Sequence, residues 1–173
     1  ITIAYLLDGK GFDAEDVKVD SRVGKWLRGV QKVAQEDFLK RDKLEIMFNI
    51  TEINITDDDV TDKIQHWSSS CLIHGPTFLD YLEELYRNRD KPNIICVVTK
   101  YKMYDADDVN YLAYLNHTTL CETMVPILLT YVPEKEAKTG EILYKLVQKS
   151  TNSSEGQLKK YLKKKCKKPK KIK

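Results

Sequence analysis

The sequence predicts an α/β layered domain with about five strands and flanking helices. Apolar residues recur at helical spacing from Ser21 to Lys40 and again from Thr139 to Ser150. Short apolar runs rich in β-branched residues lie before and between these helices, as is typical of buried strands. Strands and helices that alternate in this way pack in layers around one core. Because 173 residues that are 42% hydrophobic can bury one core, we expect one domain, residues 1–157, followed by a tail, residues 158–173.

The strands are expected at residues 1–7, 44–50, 93–99, 111–115 and 124–132. In the second of them, apolar residues alternate from Leu44 to Ile50, which places Asn49 on the solvent face. The phase of this alternation changes at Ile53, which indicates a bulge. Because proline cannot donate to a sheet ladder, Pro126 predicts that the last strand lies at an edge or is irregular.

The helices begin at recognisable signals. Asp20 or Ser21 can cap the first helix, and Pro76 suits the first turn of a second helix. Polar residues dominate the stretch between them from residue 57 to 75, and also residues 101–110, so both stretches are expected to be loops.

Four Asn-x-Ser/Thr sequons indicate a secreted glycoprotein. The chain has seven Asn, so chance would give about one sequon. The expected glycosylation sites are Asn49, Asn54, Asn116 and Asn152.

The four cysteines agree with an extracellular location. Their number is even and no two form a Cys-x-x-Cys pair, which favours two disulfides over a zinc ribbon or a thioredoxin-like site. The alternative is four reduced cysteines, with Cys96 simply packed in its apolar strand.

Charge is strongly segregated along the chain. Residues 159–173 contain ten Lys and no acid, whereas the first 158 residues carry 19 basic and 26 acidic side chains, a net charge of −7. An acidic body with a basic terminus points to the tail as the binding element. Its lysines are Lys159, Lys160, Lys163, Lys164, Lys165, Lys167, Lys168, Lys170, Lys171 and Lys173.

Residue patterns for catalysis or metal binding are weak. The three His lie at unrelated spacings, at His66, His74 and His117, and exposed loop histidines explain them better than a zinc site. The acidic stretches 57–62 and 105–108 lack the glycine turn and terminal Glu of an EF-hand. No glycine-rich phosphate loop or Gly-x-Ser-x-Gly elbow is present. We therefore expect no metal, no cofactor and no catalytic residue.

The order of the elements nevertheless resembles a protease family. Ile3-Ala4-Tyr5, a long helix, Thr51-Glu52-Ile53, and Tyr111-Leu112-Ala113-Tyr114-Leu115 followed by Cys121 and Pro126-Ile127-Leu128-Leu129 are similar to the reprolysin branch of the metzincins. The resemblance covers about residues 1–150. It implies a mixed, twisted sheet of about five strands with flanking helices, like the upper subdomain of that family.

The zinc motif of that family is missing. Metzincins carry His-Glu-x-x-His on the next helix, where two His and a further His bind zinc and the Glu activates water. Here the corresponding helix, residues 141–148, contains no His, and the chain runs into lysines where the methionine turn would follow. The sequence therefore predicts a pseudoprotease that is not an enzyme.

The tail is expected to be a short helix that docks on the body. Leu158, Tyr161, Leu162 and Cys166 share one narrow apolar stripe. The resemblance implies a Cys121–Cys166 disulfide, since reprolysins join the matching cysteine to one beyond the zinc helix. This leaves Cys71 and Cys96 as the second pair, and it holds the lysines in solvent.

Compact lysine charges without arginine or aromatic partners suit a general polyanion binder. Because the sequons argue against nucleic acid as the physiological target, the expected partners are heparan sulfate, anionic phospholipid membranes or polyphosphate. The lysine-rich end also resembles the basic-tail salivary proteins of ticks, which implies interference with host haemostasis through anionic surfaces or a clotting protein. We expect a secreted monomer.

Two alternative functions stay open. The body could be a direct ligand that blocks a complement or inflammatory component, in which case charge-neutralised protein would remain active. The chain could also be a residual or separated half of a metalloprotease, which stoichiometric zinc and peptide cleavage would support.

Overall fold

The computed structural model describes residues 1–154 and 156–166 of the chain. Within these residues the strands are β1 (Thr2–Leu7), β2 (Asn49–Ile55), β3 (Ser68–Ser69), β4 (Leu72–His74), β5 (Ile94–Thr99), β6 (Lys102–Tyr104), β7 (Ala113–Leu115) and β8 (Val125–Thr130). The α-helices are α1 (Arg22–Asp42), α2 (Asp58–His66), α3 (Gly75–Tyr86), α4 (Glu136–Lys149) and α5 (Leu158–Lys165), and a 3-10 turn covers Pro133–Lys135.

Five strands form the central sheet in the order β2-β1-β5-β8-β7. The strands β2, β1, β5 and β8 are parallel, and β7 at one edge runs antiparallel to β8. The α/β class and the mixed sheet of about five strands with flanking helices are thus confirmed.

Side chains from the two faces of the sheet build two apolar clusters. On β1, Ile3, Tyr5 and Leu7 point into a cluster that contains residues of α1 and α4. Ala4 and Leu6 point the other way, into a cluster with residues of α2 and α3. Because helices cover both faces, the central strands are continuous apolar runs instead of alternating ones.

The packing of α4 along α1 fixes one layer of the fold. The Ser21 hydroxyl caps α1 by accepting the Gly24 N–H at 3.0 Å, as the sequence predicts. A Cβ atom at Gly140 would lie 2.4 Å from Val33 Cβ, so this glycine allows the two helices to approach.

The second strand begins later than predicted. Leu44, Ile46 and Phe48 are buried alternately, but β2 starts at Asn49. Burial periodicity reports which side chains face the core and not whether the backbone has a strand partner. The predicted bulge is present, since the pairing of β1 with β2 shifts between Ile3 and Ala4 and leaves Thr51 unmatched.

The prediction that Pro126 marks an edge or irregular strand is wrong, since β8 pairs with β5 without a shift in register. β8 lies inside the sheet, between β5 and β7. The pairing of β7 with β8 stops at Ile127, and Pro126 faces Ile95 of β5 on the other side. Proline is tolerated because the short β7 strand ends before a ladder N–H is needed at this position.

Residues 57–75 are also not a loop. The Asp57 side chain caps α2 by accepting the Val60 N–H at 2.9 Å, and Val60 and Ile64 bury one face of that helix. The strands β3 and β4 follow and form a second small sheet with β6, which lies in the other stretch expected to be a loop. These elements are short and mostly polar in composition, so the composition predicted a loop. Most of their few apolar residues are nevertheless buried in the core.

Candidate functional site

The helix α5 docks on the body through its apolar stripe. Leu158 is 4% exposed and belongs to the cluster beneath α1 and α4, and Leu162 packs against that cluster. The Tyr161 hydroxyl donates to the Leu120 carbonyl at 2.8 Å. Burial raises the pKa of this phenol, and the nearby Glu122 charge raises it further, so the donor stays protonated.

A disulfide closes the same contact. Cys121 is joined to Cys166 with 5.1 Å between their Cα atoms, which confirms the predicted pair. Beside it, Lys165 Nζ lies 3.0 Å from Glu122 Oε1. A bridge between residues 45 apart is worth ~4 kcal/mol in the chain-entropy model.

The docked helix presents a face of four lysines to solvent. Lys159, Lys160, Lys163 and Lys164 occupy positions i, i+1, i+4 and i+5, which share one side of an α-helix. All four are exposed, and within residues 1–154 and 156–166 they form no ion pair. Unpaired, mutually close ammonium groups produce a locally positive potential that attracts polyanions.

The other predicted lysines divide into two groups. Lys165 is exposed but lies on the docking side of α5 with Leu158 and Tyr161, where it pairs with Glu122. The rest lie outside the described residues: Lys167, Lys168, Lys170, Lys171 and Lys173.

A polar cavity of about 430 Å³ adjoins the lysine face. Lys160, Lys164 and Lys165 line it from α5, and Thr118, Glu122, Asn152, Ser153 and Gln157 are among the residues that line the remainder. Hydroxyl and amide groups beside ammonium groups can bind oxyanions as well as sugar hydroxyls. The site is thus shared between the tail and two loops of the body.

The sequence alone does not reveal the part that the body plays in this site. Glu122 and Thr118 lie in the loop between β7 and β8, which the disulfide holds against α5. One signal was available, because Glu122 follows Cys121 and Lys165 precedes Cys166, so an implied bridge brings opposite charges together.

The predicted Cys71–Cys96 disulfide is wrong. Cys96 is fully buried in β5, on the sheet face that α1 and α4 cover. Cys71 is exposed in the turn between β3 and β4, and the adjoining Ile73 packs into the cluster on the opposite face of the sheet. Burial raises the pKa of the Cys96 thiol, so it remains protonated and unreactive. Cys96 is a packed core residue, which was the alternative that the sequence left open.

All four sequon asparagines are exposed. Asn49 begins β2 on the solvent side as predicted, and Asn54 Nδ2 donates to Glu52 Oε2 at 2.8 Å. Asn116 Nδ2 donates to Asp80 Oδ1 at 2.9 Å. Asn152 has a left-handed backbone with φ 47° and lines the polar cavity beside α5.

The histidines lie in separate places. His66 ends α2, while His74 caps α3 through its contact with Thr77. His117 instead joins two acids of α3, with Nε2 2.6 Å from Glu83 Oε2 and 3.9 Å from Asp80 Oδ1. The ligand atoms of these three side chains lie within 4.8 Å of one another, and Asp80 is exposed. The contact connects α3 with the loop after β7.

The helix α4 contains residues 141–148, the segment compared with a zinc helix in the sequence. Its Leu143, Tyr144 and Val147 are buried against the core, and Tyr144 packs edge-on to Phe38 of α1 at 4.7 Å between ring centroids. Burial and a hydrogen bond with Asp42 raise the pKa of Tyr144 to about 12. The inward face of α4 is thus filled by packing side chains.

No protein-family model and no curated protein sequence matches this chain. Among the described helices, none has the length and apolar character needed to cross a bilayer.

Proposed function

We propose that the protein is a secreted, non-catalytic binding protein whose lysine-rich end engages anionic surfaces and so interferes with host haemostasis. The observation that carries the proposal is the face of four unpaired lysines on a helix that a disulfide holds against the body. The anionic surfaces in question are heparan sulfate, anionic phospholipid and polyphosphate.

The physical basis is a fixed, concentrated charge. Each lysine close to an anionic membrane contributes about 1 kcal/mol of attraction. Because α5 is already ordered by Leu158, Tyr161 and Cys166, its lysines lose less conformational freedom on binding than those of an unstructured chain. Ammonium groups lack the planar fork of arginine. We therefore expect the lysines to select ligands by charge density and not by the sequence or stereochemistry of the ligand.

Several features support an extracellular setting. The Cys121–Cys166 bridge is the kind of bond that persists in oxidising compartments, and the sequon asparagines Asn49, Asn54, Asn116 and Asn152 are accessible to glycosylation. We further propose that the body descends from a reprolysin-like protease and is not hydrolytic. The mixed sheet and the absence of His from residues 141–148 support this proposal.

Heparin affinity chromatography tests the proposal with charge-matched variants. In the first variant Lys159, Lys160, Lys163 and Lys164 become Gln. In the control, four exposed lysines of the body become Gln, namely Lys10, Lys25, Lys102 and Lys138. Both variants lose the same net charge, so only the location of the charge differs.

The expected result is early elution of the α5 variant and near wild-type elution of the control. Circular dichroism and thermal unfolding of both variants establish that the fold is intact. Equal losses in the two variants would show that net charge and not the α5 face governs retention. Wild-type protein that is not retained at low salt would end the proposal.

A further inference from the structure

A second polar cavity, of about 890 Å³, lies on the body next to the first. The C-terminal parts of α1 and α4 form its walls, which contribute the cations Arg41, Lys145 and Lys149. Its remaining wall is the chain that follows α4, including Asn152 and Ser153.

The two cavities adjoin. Asn152 and Ser153 line both of them, so this turn lies between the space beside α5 and the space at the ends of α1 and α4. The turn is held by the Asn152 N–H, which donates to the Lys149 carbonyl at 3.1 Å, and by the left-handed conformation of Asn152. The two cavities and the turn between them are together called the groove below.

The free positive charge of the second cavity is concentrated on one residue. Lys145 pairs with Glu141 at 3.1 Å, and Arg41 is shared between Glu141 and Asp37 at 3.5 Å each. Asp42 also lines this part of the groove. Lys149 is exposed and, among the described residues, has no carboxylate partner.

We infer that this groove binds one linear sulfated polysaccharide chain, which runs from the α5 lysines across Asn152 and Ser153 to Lys149. The inference rests on the proposed function and names its ligand class. Unpaired ammonium groups at Lys160, Lys164 and Lys149 suit sulfate groups spaced along a chain. Neutral donors and acceptors at Thr118, Ser153 and Gln157 suit sugar hydroxyls, which polyphosphate does not offer.

A flat bilayer fits this geometry less well than a flexible chain. The outward face of α5 can lie on a membrane surface, but Lys149 lies beyond the turn, in the lining of a concave space. A membrane ligand is therefore expected to depend on α5 alone.

The test compares Lys149→Gln with Lys138→Gln, two exposed lysines of α4 that form no ion pair within the described residues. Lys138 lies in the first turns of that helix, remote from the groove lining. Binding of size-defined heparin oligosaccharides is measured by calorimetry over a range of salt concentrations. For a dodecasaccharide, Lys149→Gln should weaken binding by roughly tenfold and lower the salt slope by about one, as for the loss of one charge contact with a linear polyanion. Lys138→Gln should leave both quantities unchanged.

The outcomes separate this inference from the function on which it rests. If Lys149→Gln and Lys138→Gln bind the dodecasaccharide equally well and the wild type also binds it, the inference about the groove is wrong. The α5 surface alone then accounts for binding. Wild-type protein that binds no oligosaccharide overturns the proposed function as well. Polyphosphate of matched charge serves as a second ligand. If it binds as tightly as the dodecasaccharide and loses as much affinity in Lys149→Gln, the groove does not select for a sugar. If binding to vesicles containing phosphatidylserine depends on Lys149 and binding to heparin does not, the ligand of the groove is a membrane and not a polysaccharide.

Discussion

Asn152 lies where the two basic walls of the groove meet, and its side chain is also the acceptor of a sequon. It is exposed, its backbone is left-handed, and Ser154 completes the acceptor pattern. An attached glycan would begin inside the path proposed for the polysaccharide. Glycosylation of Asn152 would thus determine how much of the groove is accessible to a ligand.

Removal of the Asn152 glycan should strengthen heparin binding. Ser154→Ala abolishes the sequon while it leaves the Asn152 side chain in place. The glycosylated wild type, with occupancy of Asn152 verified by mass spectrometry, is expected to elute from heparin at lower salt than Ser154→Ala. Asn54→Gln is the matched control, since Asn54 lies near the end of β2 and does not line the groove. Identical elution of the wild type and Ser154→Ala would show that the glycan leaves the groove open.

A tyrosine–carboxylate pair orders the loop before β7. The Tyr114 hydroxyl donates to Asp105 Oδ2 at 2.7 Å, and the other Asp105 oxygen accepts the backbone N–H groups of Asp107 and Asp108. These bonds, the tyrosine bond first, lower the pKa of Asp105. Burial, followed by the bond to Asp105, raises the pKa of Tyr114 to about 12.

Tyr114→Phe should raise the pKa of Asp105 towards its ordinary value of 3.8. Because the carboxylate is favoured in the folded state, its contribution to stability is present above that ordinary value and is lost as pH falls through the lowered one. The variant should therefore lose this contribution at a higher pH than the wild type. A carboxyl NMR titration measures the pKa of Asp105 directly, and an unchanged value would mean that the backbone N–H groups alone hold it down.

The helix α5 has only eight residues, so its order depends on what holds it. Helices of this length are unstable in isolation. Leu158 and Tyr161 attach its first turns, and the bridge from Cys121 to Cys166 attaches its end. The element that carries the proposed function is thus ordered by tertiary contacts and not by helix propensity.

Loss of the disulfide should release the end of α5. In Cys121→Ser/Cys166→Ser the free energy of unfolding should fall by as much as ~4 kcal/mol, the value expected for a loop of this length. Urea denaturation measures that change, and hydrogen exchange should show faster exchange of the amides from Leu162 to Lys165. Cys71→Ser is the control, because that cysteine is exposed and unpaired. Unchanged exchange in the double variant would mean that the apolar stripe alone holds the helix.

At the element scale, the sequence predicts well wherever periodicity and capping agree. Ser21 and Pro76 mark helix starts that the structure contains, and the apolar run of β5 lies within one residue of its expected bounds. Prediction failed where the outcome depended on the neighbouring strand. Pro126 is tolerated in an interior strand only because β7 is short, and the segment around Ile46 is buried without a strand partner. Neither circumstance is encoded locally.

For the whole molecule, charge and shape differ in how far sequence predicts them. The lysine cluster and the acidic body are visible in composition. The groove is not, because Arg41 of α1 lies far along the chain from Lys149 of α4, and the cavity that these two residues line adjoins the cavity at Lys160 only at the turn that contains Asn152. The Cys121–Cys166 pair was anticipated through a resemblance, whereas the cysteine count alone suggested a second bridge that burial of Cys96 prevents.

Segregated charge makes the two parts of the molecule separable in a functional assay. The body carries a net charge of −7 and the last 15 residues carry ten lysines. If the lysines are the effector, they act by occupying the anionic surfaces on which clotting enzymes assemble, and the acidic body keeps the protein from binding those surfaces elsewhere.

Intact protein should prolong the clotting time of recalcified plasma, and a variant with all ten tail lysines changed to Gln should not. Cys166 stays in place in this variant, so α5 remains anchored and only its charge is lost. Prolongation by both proteins would show that the body binds a clotting factor directly, and the lysines would then be accessory. If neither protein prolongs clotting, anionic surfaces of haemostasis are not the target, and the same pair applied to complement and leukocyte assays distinguishes a body ligand, active in both forms, from a charge-dependent one.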